Sequence, residues 1–399
     1  MPAEGPLHDI RVLDIATFIA APFCGTVLAD FGADVIKVEQ PGEGDPLRRF
    51  GTPTECSDSF VWLSEARNKS SITLDLRTEQ GAALFLRLAA KSDVILENFR
   101  PGTLEKWGLG YDALKAVNPR IVLLRISAYG QTGPYRSKPG FARIAHAFSG
   151  LSYLAGEAGR QPVMPGSTSL ADYMSGLWGA VGVLIAQREA ERSGVGQVID
   201  LALYESVFRV LDEIVPMYAK HDFVRERMGA DTVNVVPHSH YQTGDGRWIA
   251  LACSSDKMFV RLALAMCRPE LGTMQEYSTM AARIARRAEV NGIVSDWVAG
   301  LTLEDLMKAC DEVGVPCGPL NNIADIFRDP QYAARGNLQT VPSRAGEIVV
   351  PAAVPHMSAT PPEFRHAGPA LGADTDRILS EVLGLDAPAI AALRAAEII

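Results

Sequence analysis

The stretch RVLDIATFIAAPFCGTVLADFGADVIKVE, residues 11–39, decides the fold. Residues 11–15 are a short β-branched and apolar run that reads as a strand. Residues 20–31 carry apolar side chains at three and four spacings, the period of a helix, and residues 34–38 read as a second strand. Gly32 and Asp34 punctuate the junction. A strand, a helix and a strand in this order form the crossover unit of a parallel sheet. The pattern continues outward, with strands expected over 71–75, 93–97 and 121–126 and a helix over 78–90. An α/β domain with helices on the faces of a parallel sheet is therefore expected. In such sheets ligands sit beyond the carboxyl ends of the strands. The segments that follow the strands, 16–22, 39–45, 98–102 and 127–133, are the places to look for a site.

A second region begins near Gly229. Residues 241–253 read as a hairpin, with Asp245 and Gly246 suited to the positive φ values of a tight turn. Helical patterns follow over 257–266, 280–288, 290–298 and 303–312, which makes a smaller α+β unit of about one hundred residues. Residues 325–335 lead into a proline-rich passage, 342–362, that reads as extended chain crossing a surface. Two closing helices are expected from Asp374 onward.

Composition narrows the function. The 399 residues are 47% hydrophobic and 21% charged, a globular balance. Lys and Arg number 38 against 47 Asp and Glu, and the net charge of −9 works against a phosphate-driven grip on long nucleic acids. Six cysteines occur without a CxxC pair, which argues against a zinc module or a disulfide framework. The longest apolar run, residues 176–186, is too short to span a membrane, and no basic-then-apolar leader opens the chain. A cytoplasmic protein with no membrane or nucleic-acid partner is the expectation. GxxxxGK[ST], GxSxG and HExxH do not occur. Gly108, Gly110 and Ala113 fit GxGxxA, but no strand precedes them, so they read as a helix start.

The most informative stretch is 164–194. A helix is expected from about Leu170 to Glu191, with Ser167, Thr168 or Ser169 as cap and Asp172 in its first turn. Exposed amides and the helix dipole there favour an ionised carboxylate, so a low pKa is expected for Asp172. Ser169, Ser175, Gly176 and Gly179 share its face and strip that face of bulk. Either a broad ligand or a neighbouring helix could use the space. Cations follow the predicted strands at Arg77, Arg100, Lys106, Lys138 and Arg143, a set suited to phosphate or carboxylate. His238 and His240 alternate on an extended stretch. With no further ligand near them in sequence, a loop or substrate contact is the stronger reading than a metal, and none is expected.

Taken together, residues 11–39, NKSSITLDL (68–76), DVILENFRPG (93–102), the Asp172 helix, GVGQVIDLALY (194–204) and GVPCGPLN (314–321) resemble the class III CoA-transferases, a family that includes formyl-CoA transferase and carnitine CoA-transferase. The resemblance spans nearly the whole chain. It implies a large Rossmann-like domain built from residues 1–222 and 328–399, a small α+β domain at 229–327, and an interlocked homodimer. It places Asp172 as the nucleophile and Gln40, Leu74, Arg77, Asn98, Phe99 and Lys106 at contacts with CoA, joined by Arg100 and Lys138. Gln40 stands where formyl-CoA transferase has an arginine. Coenzyme A is then a substrate, and no tightly bound cofactor is implied.

Departures from the pattern sort the subfamilies. Related racemases carry a His and an Asp after the glycine, where this chain has Gly140, Phe141, Ala142 and Arg143. Oxalate-handling members carry a glutamine near position 19, which is Ile19 here. Residues 139–145, PGFARIA, resemble members that move CoA between dicarboxylates. The guanidinium of Arg143 is a sensible clamp for a distal carboxylate. The implied reaction carries CoA from a donor such as succinyl-CoA to a dicarboxylate through an aspartyl-CoA intermediate. An acyl-CoA epimerase and a catalytically silent CoA-binding protein are the alternatives.

Overall fold

Six parallel strands make the main sheet: β1 (Arg11–Asp14), β2 (Asp34–Glu39), β3 (Lys69–Thr73), β4 (Val94–Glu97), β5 (Val122–Ser127) and β6 (Val198–Ala202). In this computed structural model, which describes residues 5–399, they lie in the order β3-β2-β1-β4-β5-β6. Val12 of β1 pairs with Val35 on one side and Val94 on the other. The order reverses between β1 and β4, so the crevice of a doubly wound sheet opens beyond Asp14 and Glu97. Residues 11–39 form the strand, helix and strand read from their pattern, with α1 (Ala20–Asp30) in the middle. β6 lacks a continuous apolar run because it is an edge strand whose side chains alternate between exposed and covered.

Helices cover both faces. On one face α1 and α4 (Leu170–Ser193) close a core of Val12, Leu28, Val94, Leu124 and Val183. On the other, α2 (Glu79–Ala89) and the helices Thr375–Leu383 and Ala387–Ala395 bury Phe85, Ile378, Leu379 and Ile390 against Leu13, Ile36, Ile72 and Ile95. The chain end therefore completes the layer that its beginning starts. The small face of α4 is spent on packing. A Cβ at Gly176 would sit 2.7 Å from the Ala20 carbonyl oxygen of α1, and one at Gly179 would sit 2.8 Å from Leu124 Cδ2. Of the two uses open to these residues, helix and sheet packing is the one observed.

Charged groups are buried beneath the strand ends. Asp14, fully buried, receives Lys69 Nζ at 2.9 Å and Lys37 Nζ at 3.5 Å, and Lys37 also reaches Asp45 Oδ2 at 2.9 Å. Burial opposes ionisation of Asp14, but the two ammonium groups outweigh it and hold the carboxyl below its usual range. Removing either partner would strand a charge in the core.

The described chain divides into two compact units. One holds the chain up to Leu151, Met164–Val215 and Ala333–Ile399; the other holds Ser152–Val163 and Pro216–Tyr332. The second unit is built on an antiparallel sheet of β7 (His238–Gln242), β8 (Trp248–Ala252) and β9 (Cys317–Pro319). The β7–β8 turn is as expected, although only Gly246 takes a positive φ, +80°. Helices Asp256–Ala265, Arg287–Ala299 and Leu303–Val313 lie close to the sequence expectation and bury Phe259, Leu262, Val294 and Leu306.

The proline-rich passage departs from expectation. Part of it is a hairpin, β10 (Leu338–Ser343) and β11 (Gly346–Pro351), rather than plain extended chain. Pro342 and Pro351 lie within its strands, which a two-stranded ribbon tolerates because each strand is an edge. Val341, Ile348 and Val350 pack on Trp62 and Leu63, which gives the hairpin its register. Among the described residues no helix is long and apolar enough to cross a membrane.

Candidate active site

The crevice is floored by the loop after β1. Asn98, just beyond β4, clamps it: Oδ1 accepts the Thr17 N–H at 2.8 Å and Nδ2 donates to the Thr17 carbonyl at 2.7 Å. Asp45 Oδ1 accepts the Phe18 N–H at 3.0 Å and the Leu47 N–H at 2.8 Å. Between these clamps Phe18 is held at φ +61°, a left-handed conformation uncommon for a bulky residue and maintained only where the surroundings over-determine it. Its ring packs edge-on against Phe50 and Phe141, with centroids 6.0 Å away in each case. Glu97 Oε2 accepts the Phe99 N–H at 2.7 Å, which fixes the opposite lip.

Two adjoining clefts share Thr17 and Phe99. The first is lined by Gln40, Leu74, Arg77, Phe99 and Trp107. Arg77 is gripped by Asp75 through bonds of 2.9 and 2.8 Å, yet much of its side chain faces solvent. Those bonds, with burial opposing, hold the Asp75 carboxyl down at about 2. The second cleft, of about 280 Å³, is lined by Phe18, Asn98, Arg100, Arg136, Lys138, Phe141 and Asp172. That volume approaches the roughly 300 Å³ at which small-molecule sites begin.

Asp172 enters this cleft from the first turn of α4. Its surroundings contradict the low pKa expected from the helix terminus. Burial pushes the carboxyl up to about 7, with no opposing cation beside it. The first-turn amides are engaged elsewhere. The Asp172 and Tyr173 N–H groups both donate to the Ser169 carbonyl, at 2.9 and 3.2 Å, and the Ala171 N–H donates to His146 Nε2 at 2.9 Å. Ser169 is the N-cap, but its side chain makes no capping bond. Asp172 is thus a half-buried, poorly solvated carboxylate open to a ligand, which is a reactive combination.

The sequence-selected residues fall into three groups. Gln40, Leu74, Arg77 and Phe99 line the first cleft, while Asn98, Phe99, Arg100, Lys138 and Asp172 line the second. Asn98 has both polar ends of its side chain committed to Thr17, and Lys138 Nζ lies 3.7 Å over the Tyr135 ring. Lys106 and Arg143 are exposed and line neither cleft. For Arg143 the reason is helical phase. In α3 (Ala142–Phe148) the residues Ala142, Ala145 and His146 face the core, which turns position 143 outward. His238 and His240 belong to the second unit, where with Ser239 and Cys317 they line a cleft of its own sheet. Phe18, Asp45, Arg136 and His146 escaped the sequence reading. Positive φ at a phenylalanine has no composition signal, and Arg136 lies in an exposed loop without period.

A half-buried carboxylate at the switch point of a doubly wound sheet, with cationic side chains lining the same cleft, suits acyl chemistry on a long phosphate-bearing ligand. Residues 7–375 match the family model described as CoA-transferase family III, and the chain belongs to that family. It is therefore a CoA-transferase. Over 396 residues it is 52% identical to the succinyl-CoA–L-malate CoA-transferase alpha subunit of Chloroflexus aurantiacus, covering 99% of this chain and 92% of that one. It is 53% identical over 397 residues to the corresponding beta subunit, covering 99% and 98%. Among solved structures, a CAIB/BAIF family protein from Brucella suis superposes with a TM-score of 0.84 at 33% identity, covering 95% of this chain and all of that one.

Proposed function

We propose that this enzyme transfers CoA from succinyl-CoA, or a related dicarboxylyl-CoA, to a dicarboxylate acceptor, through a CoA thioester of Asp172. The unpaired Asp172 carboxylate in a cleft with three cationic side chains carries the reading. Relatives named for succinyl-CoA and L-malate support the substrate class.

In this mechanism an Asp172 oxygen attacks the donor thioester carbonyl, the C–S bond breaks, and CoA leaves as the thiolate with the acyl group held as a mixed anhydride. The thiolate then attacks the Asp172 carboxyl carbon. Succinate leaves as its carboxylate, and CoA is now bonded to the enzyme. The acceptor carboxylate repeats both steps in reverse, restoring Asp172. No net proton is consumed and the thioester bond is conserved, so ATP is unnecessary. A carboxylate is a weak nucleophile, and partial desolvation strengthens it. The rigid Phe18 loop supplies the other requirement, a fixed seat for the reacting carbonyl.

The nucleotide end of CoA occupies the Gln40, Leu74 and Arg77 cleft, and its pantetheine arm passes Thr17 and Phe99 into the Asp172 cleft. Arg136, whose guanidinium makes no hydrogen bond or ion pair within the described chain, takes the distal carboxylate of the acid, a role its position fits better than that of Arg143. Along α4 the side chains Leu177, Trp178, Val181, Leu184 and Ile185 form an exposed apolar face. A second copy of the chain covers it, in an interlocked homodimer. The test is Asp172→Ala, expected to lower transfer from succinyl-CoA to L-malate at least about a thousandfold while the protein stays folded. A variant retaining a tenth of the activity would refute the assignment.

A further inference from the structure

The seat of Asp172 is held from outside its own helix. His146, on α3, is fully buried, and its Nε2 accepts the N–H of Ala171, the residue immediately before Asp172, at 2.9 Å. It replaces the capping bond that the Ser169 side chain does not make. Because Nε2 accepts, the ring hydrogen resides on Nδ1, and that nitrogen is buried with no hydrogen-bond partner among the described residues. An imidazole that leaves one buried nitrogen unpaired in order to hold one backbone amide is an expensive arrangement in a core, where an apolar side chain would pack without that loss. Burial first, and the neighbouring Arg143 guanidinium second, depress its basicity, which keeps the ring in the neutral, accepting form. The N-cap of the same short helix is Phe141, whose ring packs against Phe18 and lines the cleft. α3 therefore ties the start of the nucleophile's helix to the wall that the acyl group meets.

We infer that His146 is a positioning residue for CoA transfer, acting through the Ala171 amide to fix the backbone from which the Asp172 carboxylate projects. The inference rests on Asp172 being the nucleophile, and it adds a second residue on which the rate of that carboxylate's attack depends. His146 touches no substrate in this account, so its loss moves turnover and leaves substrate affinity largely alone.

The experiment compares His146→Leu with His146→Gln in steady-state transfer from succinyl-CoA to L-malate. Leucine fills the volume without an acceptor, while the glutamine amide oxygen can reach the Ala171 N–H. The leucine variant is expected to lose about ten- to a hundredfold in kcat with KM for succinyl-CoA within about twofold, as a small misplacement of a reacting group predicts. Glutamine is expected to restore kcat to within about fivefold of the parent enzyme. Unchanged kcat in the leucine variant, or equal losses in both variants, would overturn the role. Nitrogen-15 NMR of histidine-labelled parent enzyme covers the case in which leucine does not fold. It is expected to find His146 Nε2 unprotonated and Nδ1 protonated, and the opposite tautomer would remove the bond and the inference with it. Failure of the Asp172 assignment would appear separately, as an active Asp172→Ala enzyme, and neither histidine measurement depends on that variant.

Discussion

In the proposed mechanism Asp172 attacks only as the carboxylate, yet burial holds its proton until about pH 7. The kcat/KM for succinyl-CoA should therefore rise about tenfold per pH unit below 7 and level off above it, and a flat profile between pH 5 and 8 would contradict this. The same shift acts on stability. The folded-state pKa lies above the ordinary 3.8, so between these values the folded protein binds more protons than the unfolded chain, and stability falls as pH rises through that window. Asp172→Asn removes the penalty. Its melting temperature should exceed the parent's by about 1–3 °C at pH 8 and match it near pH 4. At this scale the sequence disclosed a carboxylate in the first turn of α4, which the structure places in the cleft, but missed its pKa. Helix-terminus reasoning counts free amides, and here His146 and the Ser169 carbonyl have claimed those amides through contacts that no spacing along the chain reveals. Arg143 shows the same limit, because a strand-end cation aims at the cleft only if its helical phase allows.

The elements were more legible than the side chains. Apolar periodicity located α1, the first five strands and the long α4 helix to within a few residues, since each buries a continuous face in one of two cores. The half-exposed β6 and the proline-bearing β10–β11 hairpin carry no such run, and both went unread. The glycines of α4 illustrate how packing, rather than ligand access, can shape a helix face. Gly176→Val would drive a side chain into the Ala20 carbonyl oxygen and the Phe23 ring, and a loss of about 2–3 kcal/mol in denaturant unfolding is expected. Gly182 is the contrast: a Cβ there meets Ile199 at 3.4 Å, an ordinary contact, so Gly182→Ala should hold or raise stability by about 0.5 kcal/mol. Equal losses from both substitutions would show that α4 does not pack on α1 as described.

For the whole molecule, the doubly wound order explains why segments from residues 15–19, 98–101, 136–141 and 172 converge, since each follows a strand or opens a helix at one end of the sheet. The meeting of residues 16–19 with 98–101 was predictable from strand and helix alternation, whereas the approach of 136–141 and the apolar face left on α4 were not. Its proposed cover by a second copy predicts twice the monomer mass in light scattering, with Val181→Glu weakening the assembly. A monomer at micromolar concentration would contradict it. The proposed seat of the acceptor's distal charge belongs to this scale too, because Arg136 reaches the cleft from a loop remote from α4 in sequence. Arg136→Leu should raise KM for L-malate at least about tenfold relative to a monocarboxylate, and Arg143→Leu should leave that ratio unchanged. The central claim is that CoA becomes bonded to one side chain, and it is met most directly by mixing the enzyme with succinyl-CoA, quenching with hydroxylamine or borohydride, and mapping the product by peptide mass spectrometry. A hydroxamate or reduced alcohol confined to Asp172, and absent from Asp172→Ala, is expected. An unmodified Asp172 peptide from enzyme that is turning over, or an adduct on another residue, would contradict it.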